Sequence, residues 1–301
     1  MDVAKLLQFA AVVRHRSFSA GAQELGLSQP ALSKIVKSLE RELGVRLLER
    51  GRFGAVATPM GEALARHSDA VDAELRAARI EIEALRVGAR GQVCIGCGPS
   101  EATRLLPRAL SELEKTAPEL TVTVLYGLNE ALIPMVLHGE ADFALSSIPN
   151  GTAGQDLRHV VLYEESAAVV VRSGHPLLSK RRPLTARHLV EQKWVLARRR
   201  ELERRALDDL FIAAGLVPVE ATVETTSAIL MKTLVMQSDF LTFLPRELIY
   251  WEERSNQLRP LDLLAPSWRR RVGLTLRTRA SSNPAAQKVI NALRKAAAEL
   301  S

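Results

Sequence analysis

The sequence predicts an α/β chain in three parts: an N-terminal all-α winged helix-turn-helix, a long linker helix, and a two-lobed α/β unit. Three observations predict it. Helical patterns crowd residues 3–43, with a turn between the second and third. Residues 59–86 then run without proline or glycine beyond Pro59 and Gly61. From Gln92 onward, short apolar runs alternate with amphipathic ones, the signature of strands crossing to helices. At 301 residues, with 47% hydrophobic and 25% charged content, the chain exceeds one domain of roughly 100–200 residues and has apolar material for separate cores. No apolar run approaches the ~18 residues of a spanning helix, which excludes a helical membrane span, and no membrane partner is expected.

The first element is an amphipathic helix. Residues 6–13 followed by 17–20 have the outline of a signal peptide. Asp2 stands where that pattern needs a basic region, however, and Val3, Leu6, Leu7, Ala10 and Val13 recur at helical spacing. Two cysteines are too few for a disulfide framework. The expectation is a cytoplasmic protein. Net charge is +7, and residues 1–58 hold nine basic side chains against five acidic ones, an amino-terminal bias that favours a polyanionic partner.

The second helix is expected to begin at Ser19 as N-cap and to stop at Gly26. The third begins at Ser28, with Pro30 in its first turn, where a missing N–H costs nothing. At about 100° per residue from Gln29, the positions Leu32, Ile35, Val36, Leu39 and Leu43 fall between roughly 240° and 340°. Ser33, Lys34, Lys37 and Arg41 fall between roughly 40° and 140°. One side is core; the other presents an amide, a hydroxyl and lysines suited to base edges and phosphates. A single helix with such a face is more often merely solvated, and the preceding helix-turn is what favours the groove. Residues 45–58 read as two short extended pieces around a Gly/Arg tip, a wing whose Arg50 and Arg52 either touch phosphate or remain solvated loop charges. The candidate DNA contacts are Ser28, Gln29, Pro30, Ser33, Lys34, Lys37, Arg50 and Arg52.

These residues carry a resemblance. FAAVVRHRSFSAGAQELGLSQPALSKIVKSLERELGVRLLER followed by TPMGEAL resembles, without gaps over about sixty residues, the winged helix of LysR-type transcriptional regulators. The shared positions include Phe18, Ala22, Leu25, the run Ser28 to Ser33, Leu39, Glu40, Leu43, Gly44, Leu47, Arg50, Thr58 and Gly61. Leu48 departs from the usual Phe and Ala57 from the usual Leu.

In residues 59–86, placing Ser68, Leu75 and Ile82 at heptad position a puts Leu64, Val71, Ala78 and Leu85 at d. This is a weak seam, expected to dimerise with help from other contacts; packing against its own domain is the alternative. The resemblance implies the dimerising linker helix, a dimer or a homotetramer, and a pseudo-palindromic operator on double-stranded DNA whose half-sites lie roughly one turn apart. It also implies RNA polymerase as a partner. Residues 88–91 read as a hinge.

In the last part, residues 92–96, 120–125 and 142–146 are expected strands, with helices at 104–115 and 130–138 between them, a βαβαβ pattern with parallel strands. A second round places strands at 167–171, 194–196, 219–224 and 240–244, and helices at 201–214 and 228–237. A strand at 272–277 and a helix at 284–300 close the chain. Two such lobes trap a small molecule beyond the carboxyl ends of their strands. GQVCIG, LLPRAL, HGEADFAL, SGHPL and FLP resemble landmarks of the family's periplasmic-binding-protein-like effector domain, although Gln237-Ser238-Asp239 departs from its glycine-rich turn. The implied limits are 1–58 for the winged helix, 59–90 for the linker and 91–301 for the effector domain. Lobe I is then 92–163 with 267–301, and lobe II 164–266.

Candidate effector contacts lie where strands hand over to helices: Pro99, Ser100, Thr103, Ser146, Ser147, Arg198, Thr226 and Ser227. Each alone is more readily a helix cap; their convergence on one cleft is the argument. Arg198 points to an organic acid, and Glu101 would oppose one if it faced inward. Arg198 to Arg200 with Arg204 and Arg205 read as a helix-start surface balanced by Glu201 and Glu203. The Cys94-Ile95-Gly96-Cys97 spacing invites a redox or metal reading, but alternation on a strand sends the thiols to opposite faces and no second pair completes a metal site. With no nucleophile elbow, phosphate loop or metal-spaced histidines, neither an enzyme nor a cofactor is expected. The leading reading is a DNA-binding transcriptional regulator of the LysR type switched by a small-molecule effector. The alternatives are a cytoplasmic small-molecule-binding protein and a redox-sensing regulator using Cys94 and Cys97.

Overall fold

The computed structural model describes residues 2–51, 54–87, 91–149, 156–179, 183–264, 268–278 and 283–300. The amino-terminal unit begins with α1 (Val3–His15), α2 (Phe18–Glu24) and α3 (Gln29–Leu43), followed by the antiparallel strands β1 (Leu48–Gly51) and β2 (Gly54–Ala57). Asp2, Ser17 and Ser28 cap the three helices, each side-chain oxygen accepting from a first-turn N–H. The cap of α2 is thus Ser17, not Ser19: Ser17 is extended and its hydroxyl accepts from Ala20 N–H, so Phe18 and Ser19 already belong to the helix. Gly26 takes φ +64° in the turn between α2 and α3, a conformation glycine adopts without strain. Leu6, Phe9, Val12, Ala22, Leu32, Val36, Leu39 and Leu47 form one core. Leu43, expected inside, is 38% exposed because the helix ends at Gly44 with no neighbour to cover it.

Helix α4 (Pro59–Val87) has 29 residues, about 43 Å at 1.5 Å per residue. Thr58 sets its start: Thr58 Oγ1 donates to Arg46 O at 2.8 Å and accepts from Gly61 N–H at 3.1 Å. Its first turns pack on the winged helix, where Ala65 is buried in the core and Leu64 lies against it. Ser68 is fully buried and bonds back to Leu64 O. The expected seam is therefore divided. Leu64 and Ser68 turn toward the helix's own unit, whereas Leu75 and Ile82 are 42% and 64% exposed. The side chain of Leu85 and residues 88–90 of the expected hinge lie outside the described residues.

The remaining elements are β3 (Gln92–Cys97), α5 (Leu105–Thr116), β4 (Thr121–Tyr126), α6 (Asn129–Leu137), β5 (Phe143–Ser147), β6 (Leu157–Arg172), β7 (Val195–Leu196), α7 (Leu202–Ala213), β8 (Val223–Glu224), α8 (Ala228–Gln237), β9 (Thr242–Pro245), α9 (Tyr250–Arg254), β10 (Leu258–Pro260), β11 (Arg269–Arg277) and α10 (Pro284–Ala298). One sheet runs β4-β3-β5-β11-β6, with β3 parallel to both β4 and β5 as the βαβαβ pattern predicts. β11 is antiparallel to β5 and β6. The far half of β6 pairs with β9 and β10, so this strand carries the chain from the first lobe into the second.

Two expected strands change length. The run at 167–171 is the end of the sixteen-residue β6, and 219–224 shrinks to Val223–Glu224. Each lobe has its own core: Phe143, Leu145, Leu274 and Leu293 anchor the first, and Trp194, Leu207, Phe211 and Leu241 the second. The linker helix leans on the first lobe beyond α6. There Asp69 lies 3.4 Å from His138 Nε2. A Cβ on Gly139 would come within 2.6 Å of that of Ala73, so only glycine permits the approach.

Candidate DNA-reading face and interlobe cavity

On α3 the polar stripe is accessible. Gln29, Pro30, Lys34 and Lys37 are exposed and Ser33 is half-buried beside Leu32, which has no exposure at all. Ser28 has its hydroxyl occupied by the Ala31 N–H, so it reaches outward only through its remaining capacity. Arg50 stands in β1 opposite Ala55, with its side chain outside the described residues, as is the whole of Arg52. A helix start carrying an amide and a hydroxyl, followed by two lysines on the same side, matches what base edges and phosphates require.

Between the lobes lies a cavity of about 240 Å³. Of the eight sequence-derived contacts, Pro99, Ser100, Ser146, Ser147 and Thr226 line it. The other three do not. Thr103 sits one turn back, its hydroxyl donating to Pro99 O at 3.2 Å. Ser227 caps α8 by accepting from Leu230 N–H. Arg198 is exposed on the loop after β7 and is not among the lining groups. That removes the cation on which the organic-acid expectation rested.

The floor of the cavity is a charge cluster spread through the sequence. Arg270 on β11, 10% exposed, donates through Nε to Glu165 on β6 at 2.6 Å, through Nη1 to Glu203 on α7, and through Nη2 to Glu101 at 3.5 Å. Glu165 also accepts from Ser100 Oγ at 3.0 Å. Arg270 therefore ties the loop after β3, the strand joining the lobes, and the first turn of α7. Asn129 Nδ2 donates to Ser147 O and Oγ at 2.8 and 3.0 Å, fixing the end of β5. Further out, Arg200 reaches across the cleft to Glu130 at 2.8 Å, Arg104 pairs with Glu247 at 3.0 Å, and Trp251 Nε1 donates to Thr103 O.

The cluster holds more carboxylates than cations. Burial pushes the Glu101 carboxyl up to about 7; Arg270 works against this, and Glu165 and Glu203 reinforce it. Glu201 and Glu247 are likewise raised, mainly by burial. Folded protein therefore holds protons that the unfolded chain has already released. Stability is expected to fall as pH rises from the ordinary glutamate range near 4.5 to about 7. Urea titrations across that window should show the decline, and Glu101→Gln should flatten it. A decline of unchanged slope in that variant would assign the proton elsewhere.

Cys94 and Cys97 occupy opposite faces of β3. Cys97 is buried in the first-lobe core, and Cys94 packs beside Leu132 and Val136 under α6. Both are free thiols, and burial raises both above the ordinary range, which disfavours the reactive thiolate. Among the described residues no group of His, Cys, Asp and Glu is arranged to hold a metal, and no helix is long and apolar enough to cross a membrane.

A helix-turn-helix with an exposed polar face on its third helix, beside a long linker helix and followed by two lobes around a cavity, defines a DNA-binding transcription regulator with an attached effector-binding unit. Residues 3–62 match the family model for the bacterial regulatory helix-turn-helix protein, lysR family, and residues 86–298 match the LysR substrate binding domain. The chain belongs to the LysR family of transcriptional regulators. It is 32% identical over 240 residues to the HTH-type transcriptional regulator GbpR of Azospirillum brasilense, covering 80% of this chain and 70% of that one. It is 31% identical over 300 residues to a probable hydrogen peroxide-inducible genes activator of Streptomyces viridosporus, covering 99% and 95%. Among solved structures, the Corynebacterium glutamicum OxyR C206 mutant superposes with TM-score 0.58 at 26% identity, covering 99% and 93%. These relatives are regulators, not enzymes.

Proposed function

We propose that residues 1–58 read a pseudo-palindromic operator in double-stranded DNA, that residues 59–90 join two copies, and that residues 91–301 bind a small-molecule effector between lobe I (92–163 with 267–301) and lobe II (164–266). The observation that carries this is the cavity itself: Arg270 on its floor holds carboxylates from both lobes and from the strand between them. A ligand seated there changes what those groups hold, and with it the closure of the cleft. It switches the protein only if it binds the open and closed states with different affinity. The exposed Leu75 and Ile82 support a dimer through the distal part of α4, with a tetramer as the larger assembly, working in the cytoplasm beside RNA polymerase. The peroxide-linked names of some relatives do not extend to a Cys94–Cys97 bond, since the two side chains lie on opposite faces of one strand.

Gel-shift titrations at several salt concentrations test the DNA face. Gln29→Ala or Ser33→Ala should relax discrimination between operator variants, with about 1–3 kcal/mol lost at the contacted base. Lys34→Ala or Lys37→Ala should weaken binding to every duplex alike and reduce the salt slope by about one. If the two classes behave identically, α3 is not the reading helix.

A further inference from the structure

The charge on the cavity wall identifies the chemistry of its occupant, given that the cavity is the effector site. Four carboxylates line it, those of Glu101, Glu130, Glu201 and Glu203, against the three guanidinium groups of Arg200, Arg205 and Arg270. Two of the three cations are already paired. Arg270 is already surrounded by three carboxylates, one of them the non-lining Glu165. Arg200 is engaged by Glu130 across the cleft, and Arg205 is exposed at the rim. Two neutral donors are engaged as well: Ser100 Oγ donates to Glu165, and Asn129 Nδ2 donates to Ser147.

One lining acceptor remains open. Glu201 Oε1 is buried with no hydrogen-bond partner among the described residues, and its nearest cation, Arg200 Nε, stands 3.8 Å away. A buried acceptor without a donor is unfavourable, and so is a surplus of negative charge in a low-dielectric floor. An anionic ligand would worsen both conditions, whereas a cationic one relieves both. Leu202, Met231, Phe243 and Leu248 give the cavity apolar lining. The volume of about 240 Å³ lies a little below the usual ~300–1,000 Å³ of ligand pockets, room for a compact molecule.

We infer that the effector is a small organic ammonium compound, its protonated nitrogen held by Glu201 and Glu203 and its carbon frame packed on Leu202, Met231 and Phe243. This proposal departs from the anionic class expected from Arg198, which lies outside the cavity.

Three probes with one ring and different heads test this on the full-length chain at neutral pH: benzylamine, benzyl alcohol and benzoate, by calorimetry and thermal shift. Benzylamine should bind at least about tenfold more tightly than benzoate. Glu201→Gln should erase that preference while leaving the affinity for benzyl alcohol unchanged. Glu201 is the variant of choice because it has no tie to Arg270; Glu203→Gln, which loses such a tie, is the second, with its melting curve recorded alongside. Tighter binding of benzoate overturns the ligand class and leaves the cavity as the effector site. So does benzylamine binding that neither variant alters, since its nitrogen then sits elsewhere. Failure of all three probes to bind the unmodified protein removes the cavity as the effector site and the ammonium proposal with it.

Discussion

Arg270→Met is expected to destabilise the effector unit by about 3–5 kcal/mol at neutral pH, the loss that follows when one partner of a buried ionic group is removed. The guanidinium is nearly enclosed, and Glu101, Glu165 and Glu203 converge on it from three separate elements. Methionine fills much of the same volume but leaves those carboxylates facing one another with no counter-charge. They respond by taking up protons, so the deficit should shrink as pH falls toward 5. Arg270→Lys keeps the charge but cannot present a planar fork to three acceptors, and should fall between wild type and Arg270→Met. Adding Glu101→Gln and Glu165→Gln to Arg270→Met should recover most of the loss, because the repulsion is removed with the cation. Urea unfolding at two pH values measures all four proteins. A deficit equal at both values would mean that packing, not charge, is what Arg270 supplies.

The same cluster explains which parts of the molecule were legible in the sequence. Recognition of the winged helix needs only neighbours in sequence: a serine before a helix, a glycine in a turn, apolar residues at helical spacing. The one displaced cap, Ser17 in place of Ser19, is a choice between two equally suitable hydroxyls two residues apart, decided by which backbone is extended. The linker seam was visible as a pattern but not its division, because Ser68 is buried against a helix that also offers Leu6 and Phe9. The first half of β6 was hidden by Glu164 and Glu165, which interrupt its apolar run. Only the antiparallel register, with Arg270 directly opposite Glu165, turns that interruption into a cross-strand ion pair. Five of the eight residues named from strand-to-helix junctions line the cavity. Arg270 was not, since its partners Glu101 and Glu203 stand 169 and 67 residues away. A run of three arginines at 269–271 was the available signal, with strand alternation turning the middle one inward.

Leu32→Ala carries the second large effect, and it separates folding from reading at adjacent positions. Leu32 has no exposure and packs in the winged-helix core with Leu6, Phe9, Val36 and Leu39. Truncating such a leucine costs about 2–5 kcal/mol, part lost transfer energy and part cavity. A unit of about sixty residues has a margin of only about 3–9 kcal/mol at the usual per-residue stability, so the variant should lose most of it. Because the lobes have cores of their own, calorimetry should show the transition of the amino-terminal unit falling while that of the lobes stays in place. DNA binding should then disappear at physiological temperature and return in part on cooling. Ser33→Ala, one peptide further on and half-buried at the edge of the polar stripe, should leave both transitions nearly unmoved and alter only which duplex is preferred. If Leu32→Ala instead binds DNA like wild type while its melting curve is unchanged, the side of α3 turned to the core has been misassigned. The outward placement of Gln29, Lys34 and Lys37 would fall with it, since the two faces are fixed to each other by the helical repeat.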